Sequence, residues 1–337
     1  MNNKFFPSNF LFILIMTAGT LLSLSSSHWL TMWMGLELNL MGFLPLMNIK
    51  GKMLEAEASM KYFIIQSMSS SMLIFTSIMI YSYNMSWYSM FNNNIMNTMM
   101  LLTLILKLGG APMHFWLPSI TKQMTWMILF LILTWQKLAP LFMLSLMNSN
   151  IMTIMFISMM TTLMGSIMAL NQTNLQMIIT YSSISHLGWM LTMIMLNSSL
   201  TLFYFINYVF ISIPLMHMIS SKMGNYMFML TQKNNTNNMF IISLILSLAG
   251  MPPLLGFMSK LTILIPLIKM KLFMLTVVML TGTLLSLYFY LNMSLMLMIK
   301  SYMMFMLPKN NKNYNSLISL NIMSSFIMYP VITTFIN

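Results

Sequence analysis

The stretch LLTLILKLGGAP, residues 101–112, combines the features that decide the fold of this chain. It begins as an apolar run, contains one lysine, Lys107, and ends in two glycines, an alanine and a proline. An apolar run of this kind favours a helix in lipid, whereas Pro112 lacks a backbone donor and prevents the helix from continuing. The stretch therefore predicts a membrane helix that is interrupted at membrane depth, next to a buried charge.

The composition extends this prediction to all 337 residues. Hydrophobic side chains make up 58% of the chain and charged side chains 5%, against about 25% charged residues in soluble domains. There are 15 Lys, three Glu, and no Arg, Asp or Cys, which excludes a water-soluble fold, disulfides, thiol chemistry and iron–sulfur ligation. The net charge of +12 is spread thinly between apolar runs, so it does not indicate nucleic-acid binding.

Eleven segments are long and apolar enough to cross a bilayer at roughly 20 residues per helix. We therefore predict an all-α integral membrane protein with about eleven transmembrane helices, two of them broken. The predicted spans are 6–25, 28–48, 60–82, 94–111, 124–146, 151–170, 174–196, 200–220, 239–267, 272–298 and 316–335.

Lysine placement predicts the orientation of these spans, because flanking lysines stay on the side from which helices are inserted. With eleven spans, the loops on the N-terminal side hold ten lysines and the opposite loops hold only Lys269 and Lys271. The N-terminus is therefore expected inside and the C-terminus outside.

Apart from the lysines assigned to the loops, three lysines and one glutamate lie within apolar runs of the predicted spans: Lys107, Lys137, Lys260 and Glu37. Such a group costs about 2.5–3.5 kcal/mol at the bilayer centre on insertion scales, so it normally faces a partner or a wet cavity and marks an ion path. Snorkelling to an interface is the alternative, and it is more plausible for Lys107 and Lys260 than for the other two. His186, amid hydroxyl residues, could relay protons or serve as a packed, hydrogen-bonded histidine.

A second interruption resembles the first. Gly110 and Pro112 mark one break, and Gly250, Pro252 and Pro253 mark the other, 140 residues later. Paired breaks in two halves are typical of transporters built from internal repeats. We therefore predict a single polytopic domain over 1–337, with repeats over about 6–146 and 151–298 and an extra C-terminal helix over about 316–335.

Methionine is unusually abundant, at 50 residues. Its flexible side chain fills any apolar space, so plain packing is one interpretation. The other is codon usage, because an AT-rich mitochondrial genome that decodes one isoleucine codon as methionine enriches Met, Asn, Lys and Phe at the expense of Arg and Ala. We favour the second interpretation, which indicates a mitochondrially encoded protein.

Six motifs in order carry a family resemblance. They are WMGLELN at 33–39, EASMKYF at 57–63, KLGGAPMHFWLP at 107–118, QKLAP at 136–140, YSSISHLGW at 181–189 and GMPPLLGF at 250–257. With them the chain resembles the antiporter-like, proton-translocating membrane subunits of NADH:ubiquinone oxidoreductase, respiratory complex I, and most of all the insect chain 2 family.

The resemblance implies an inverted-repeat bundle that forms one proton channel of this translocase, driven by quinone reduction elsewhere in the complex. Glu37 would pair with Lys107, Lys137 would connect the central axis, and Lys260 would be the terminal lysine, with His186 in the water network between them. Two departures from the family pattern, Met113 and Ser119, put in doubt any role of the loop after the first break.

The resemblance also implies that this chain binds no cofactor, since NADH, FMN, iron–sulfur clusters and ubiquinone would be held by other subunits. The expected partners are lipids and other membrane-arm subunits, including another antiporter-like subunit and small membrane subunits, with no nucleic acid. The expected location is the mitochondrial inner membrane, with the N-terminus in the matrix and the C-terminus toward the intermembrane space.

Two other functions are consistent with the residues alone. A stand-alone cation/proton antiporter would share the broken helices and lysines but would transport without redox partners. A structural scaffold would use the buried charges only to fix helix register, and it would tolerate Lys107→Met.

Overall fold

The computed structural model describes residues 7–49, 51–84, 94–147, 150–220 and 235–305, and every regular element in these ranges is an α-helix. The helices are α1 (Pro7–Ser25), α2 (Trp29–Met47), α3 (Met53–Asn84), α4 (Asn94–Leu108), α5 (Trp116–Thr121), α6 (Trp126–Leu133), α7 (Trp135–Leu146), α8 (Ile151–Ala169), α9 (Leu175–Leu196), α10 (Ser198–Ser220), α11 (Asn235–Ala249), α12 (Leu255–Lys269) and α13 (Phe273–Phe305). The predicted all-α fold is confirmed. The predicted span 316–335 lies outside the described residues.

Seven segments of the described chain are long and apolar enough to cross a membrane. They are Trp29–Met47, Met53–Ser82, Trp126–Leu146, Ile151–Ala169, Leu175–Leu196, Ser199–Ser220 and Phe273–Ile299. Shorter apolar helices cover Asn9–Ser25, Ile95–Leu108 and Asn238–Ala249. The chain is therefore a multi-pass membrane protein, and the count of eleven spans stays a prediction.

Large apolar side chains cover the outward faces of these helices. Phe10, Met152 and Leu284 are among the exposed examples, with at least 65% of each residue accessible. Apolar surface on this scale is unfavourable in water but suits contact with lipid. The exposed faces are therefore those expected of a protein surrounded by a bilayer.

Packing divides the chain into two compact units, Met1–Ile154 and Met155–Asn337. In the first unit, α1 packs along α2, α3 contacts α2 and α4, and α7 contacts α4. In the second unit, α11 packs along α13, and α10 contacts α9, α11 and α12. The inverted repeats over about 6–146 and 151–298 stay a prediction.

Glycine allows a close approach of α1 and α2. A Cβ on Gly35 would lie 2.6 Å from the main-chain nitrogen of Ser23, and a Cβ on Gly19 would lie 2.5 Å from that of Asn39. Small residues commonly permit such contacts between membrane helices. The contact fixes α2, the helix that carries Glu37.

Three interruptions shape the helices of the described ranges. Helix α4 ends at Leu108 and α11 ends at Ala249, where the sequence predicted breaks. The third was not predicted, because 124–146 was expected to be one continuous span. It falls at Thr134, between α6 and α7, where the backbone has φ −117° and ψ −74°.

Candidate functional site

The first break ends α4 in a Schellman motif. Gly109 has φ +74°, and the amides of Gly109 and Gly110 donate to the carbonyls of Leu106 at 3.2 Å and Ile105 at 3.0 Å. Glycine is the usual residue at such a left-handed position. The helix-ending glycine is therefore Gly109, and Gly110 and Pro112 belong to the connection that follows.

Side-chain donors also reach two carbonyls in the last turn of α4. Trp116 Nε1 donates to the Leu106 carbonyl at 3.1 Å, and Gln66 Nε2 donates to the Lys107 carbonyl at 3.3 Å. The Lys107 side chain itself is 7% exposed and lies in the last turn. Because a helix carries partial negative charge at its C-terminus, this end of α4 attracts a cation.

Glu37 acts on Lys107 through its charge. Among the described residues, no nitrogen–oxygen distance of 4.0 Å or less joins the two side chains. The Oε1 atom of Glu37 is buried and accepts no hydrogen bond from the described part of the chain. The two groups are therefore coupled through space and are not joined by a direct salt bridge.

Four polar side chains line a cavity together with Lys107: Asn39 from α2, Tyr62 and Gln66 from α3, and Gln136 from α7. The centre of a water molecule can occupy about 20 Å³ of this cavity, which is room for one water molecule. No sequence pattern assigned a role to these four residues. Asn39, Tyr62 and Gln136 fall within the motifs at 33–39, 57–63 and 136–140, but beyond that each is only a polar side chain within an apolar run, as many structural residues are.

Lys137 is 2% exposed in α7 and follows the third interruption. The Thr134 hydroxyl donates to the carbonyl four residues earlier at 2.7 Å, a bond that bends helices. Pro140, inside α7, cannot donate to the carbonyl of Gln136. Lys137 thus lies on an irregular helix that packs against α4.

The second break repeats the geometry of the first. Gly250 has φ +85°, and the amides of Gly250 and Met251 donate to the carbonyls of Ser247 at 3.1 Å and Leu246 at 3.2 Å. This is again a Schellman ending, here for α11. Gly250 therefore corresponds to Gly109 and not to Gly110, so the two glycine-proline patterns are offset by one residue.

Lys260 reaches back from α12 to this helix end. Its Nζ donates to the carbonyl of Ala249, the last residue of α11, at 2.7 Å, and its side chain is 6% exposed. Snorkelling does not describe this side chain, because its nitrogen is bound within the fold. Each broken helix thus brings a buried lysine to a helix C-terminus.

His186 lies buried in α9, with Nδ1 2.7 Å from the hydroxyl of Tyr204 on α10. Its ring centroid is 5.3 Å from that of Tyr208. These three residues line a cavity together with Ser247 and Ser259, which flank the second break. The centre of a water molecule can occupy about 10 Å³ of this cavity. His186 and the second break therefore share one polar neighbourhood. The two tyrosines were missed by the sequence reasoning.

One known protein family matches most of the chain, including the residues of this site. The family described as "NADH:quinone oxidoreductase/Mrp antiporter, TM" matches residues 26–286, a range that includes both breaks and all five ionisable residues discussed above. The chain belongs to this family.

Relatives within the family are similar in sequence over most of the chain. NADH-ubiquinone oxidoreductase chain 2 of Anopheles gambiae is 39% identical over 322 residues, which cover 93% of either chain. The same protein of Locusta migratoria is 36% identical over 84% of this chain and 83% of its own. The family resemblance carried by the six motifs is confirmed.

A solved structure supports the fold. A chain of respiratory complex I from Thermus thermophilus superposes with a TM-score of 0.82 at 19% identity, over 98% of this chain and 79% of that chain. The predicted antiporter-like membrane fold is confirmed. Because the relatives of 36–39% identity are complex I subunits, the comparisons favour a complex I subunit over a stand-alone antiporter.

Proposed function

We propose that the chain is a core membrane subunit of respiratory complex I and forms one proton-translocation path of this NADH:ubiquinone-reducing translocase. The observation that carries the proposal is the placement of three buried lysines, each beside a helix interruption, in a chain with full-length relatives among complex I subunits. Buried ionisable groups in membrane helices mark ion paths.

The proposal includes a location and a set of partners. The chain lies in the mitochondrial inner membrane with its N-terminus in the matrix and its C-terminus toward the intermembrane space, as the lysine asymmetry favours. It contacts lipids, small membrane subunits and another antiporter-like subunit of the membrane arm. NADH, FMN, iron–sulfur clusters and ubiquinone are bound by other subunits, so this chain contributes proton transfer and no redox centre.

In the first unit, proton transfer centres on Lys107 and Glu37. An ionised Glu37 favours the ammonium form of Lys107, whereas burial in an apolar surrounding favours the neutral amine. When quinone reduction elsewhere weakens the influence of Glu37, an N–H bond of Lys107 breaks and the proton passes to water, leaving the amine. Lys137, on the helix packed against α4, is the next buried lysine of the path.

In the second unit, Lys260 and His186 continue the path. The Ala249 carbonyl holds the Lys260 ammonium in place. Histidine is the side-chain type whose unperturbed pKa lies nearest neutrality, and His186 borders the cavity beside Ser259. The path thus uses side chains that can each hold one proton.

The test is Lys107→Ala in a bacterial complex I whose subunit carries the same residues, with exposed Lys122→Ala as the matched control. We expect Lys107→Ala to lower NADH-driven proton translocation in proteoliposomes by roughly tenfold or more, because a positioned proton-transfer group is lost. NADH oxidation should fall with it where coupling is tight. Lys122→Ala should leave both rates unchanged.

A native gel stained for NADH oxidation confirms that each variant is present in the assembled complex. Assembled Lys107→Ala complex that translocates protons at the parental rate would refute the proton-path proposal. A second variant, Lys107→Met, keeps most of the side-chain length and removes the charge. The scaffold alternative predicts normal translocation by Lys107→Met, whereas the proton path predicts the same loss as for Lys107→Ala.

A further inference from the structure

Two amide side chains form a reciprocal pair between α2 and α7. Asn39 Nδ2 donates to Gln136 Oε1 at 2.8 Å, and Gln136 Nε2 donates to Asn39 Oδ1 at 3.1 Å. Asn39 is 3% exposed and Gln136 is half-buried. Two hydrogen bonds between planar groups fix both distance and orientation, which a single bond or an apolar contact cannot do.

The pair is anchored on a third helix. The Tyr62 hydroxyl on α3 donates to the same Gln136 Oε1 at 3.4 Å. That oxygen therefore accepts from two donors, while the Gln136 nitrogen donates to Asn39. Gln66, one helical turn after Tyr62, donates to the main-chain carbonyl of Lys107. Helices α2, α3, α4 and α7 are thus connected through neutral polar groups around one cavity.

The positions of the two amides along the chain give the pair its significance. Asn39 stands two residues after Glu37, and Gln136 immediately precedes Lys137. Helix α7 is weakened here, because Pro140 leaves the Gln136 carbonyl without its helical donor and Thr134 interrupts the helix just before Gln136. A helix weakened on both sides of Lys137 needs a lateral contact to hold this lysine in place.

We propose that the Asn39–Gln136 pair is a positioning device that fixes α2 against α7, so that Glu37 and Lys137 keep constant distances from the Lys107 cavity. The proposal rests on the proposed proton path. Neither amide releases a proton at physiological pH, so both residues act through the charged groups beside them and carry no proton themselves. Charge coupling falls with distance, so a shift of α2 against α7 changes how strongly Glu37 influences Lys107.

The test uses the assembled complex of the same bacterial relative. Gln136→Met keeps the side-chain length and removes both amide bonds, and half-buried Gln172→Met in the second unit is the matched control. We expect Gln136→Met to lower NADH-driven proton translocation by more than roughly fivefold, because about fivefold corresponds to one lost neutral hydrogen bond and this variant loses both amide bonds. Gln172→Met should leave translocation unchanged. The exchange Asn39→Gln with Gln136→Asn keeps the number of methylenes and both amides, and it should restore translocation to within about twofold of the parent.

The double variants distinguish a positioning role of the two amides from a packing role. If the apolar pair Asn39→Leu with Gln136→Met assembles and translocates normally, the amides act only as filler and the proposal is overturned. If Gln136→Met does not assemble, the exchanged pair decides the matter, because an assembled exchange variant with impaired translocation also overturns it. Normal translocation by Gln136→Met, in a system where Lys107→Ala fails, rejects the positioning role and leaves the proton path standing. Normal translocation by Lys107→Ala rejects the path itself.

Discussion

The substitution Gly250→Ala tests how the second break holds Lys260. Gly250 has φ +85°, where alanine costs about 1–2 kcal/mol relative to glycine. The new Cβ would lie 2.8 Å from Nζ and 3.0 Å from Cδ of Lys260, so the lysine side chain must shift, which strains its bond to the Ala249 carbonyl. A hydrogen bond from a charged donor contributes about 1.5–3 kcal/mol. With this bond fully broken, the loss of stability is about 2.5–5 kcal/mol.

Gly51→Ala supplies the matched control. Gly51 also has a positive φ, of +62°, but a Cβ there would meet no heavy atom within 4 Å. This variant should show the backbone cost of about 1–2 kcal/mol alone. Thermal unfolding of the detergent-purified complex and NADH-driven proton translocation in proteoliposomes are the two measurements.

We expect Gly250→Ala to be the less stable variant and the only one with impaired translocation. Equal stability of the two variants, together with parental translocation by Gly250→Ala, would refute the reasoning. It would mean that Lys260 does not depend on the Ala249 carbonyl or that the break tolerates a side chain.

Two further predictions concern the second unit. Tyr204→Phe removes the hydroxyl bound to His186 Nδ1, so it should lower the stability by about 0.5–1.5 kcal/mol and lower proton translocation. Exposed Tyr288→Phe is the control. Equal translocation by both variants would count against a role for Tyr204. Lys260→Gln keeps a donor for the Ala249 carbonyl but cannot release a proton, whereas Lys260→Met loses both properties. Translocation should fall in both variants while stability falls mainly in Lys260→Met, and normal translocation by Lys260→Gln would contradict a proton-carrying role.

The elements that follow from local chemistry were predictable from the sequence. Apolar runs of sufficient length gave the helices, and Gly and Pro within such runs gave both breaks, because the reasons for a helix to end lie within a few residues. The buried charges were equally easy to identify. In a chain with 15 Lys and three Glu, a lysine amid leucines needs an explanation.

What the sequence could not predict depends on distant residues or on small angles. The Asn39–Gln136 pair joins residues 97 positions apart, and no local pattern distinguishes a paired amide from one facing a headgroup. From the sequence, Tyr204 and Tyr208 cannot be distinguished from the tyrosines that commonly lie at a membrane interface. The interruption at Thr134 coincides with a hydroxyl bond to the Phe130 carbonyl, but Thr162 makes the same kind of bond within the continuous helix α8, so the threonine alone does not predict a break.

The two breaks are similar in backbone but differ in what surrounds the lysine. The carboxylate of Glu37 acts electrostatically on Lys107 without a direct salt bridge among the described residues. Lys260 is bound to the carbonyl at the end of α11, and no carboxylate of the described residues acts on it. A helix terminus is a fixed dipole, so it holds the Lys260 ammonium with constant strength. Among the described residues, a carboxylate thus acts on the lysine of the first break and none acts on Lys260, so the proposed proton path assigns the coupling to quinone reduction to Glu37 and Lys107.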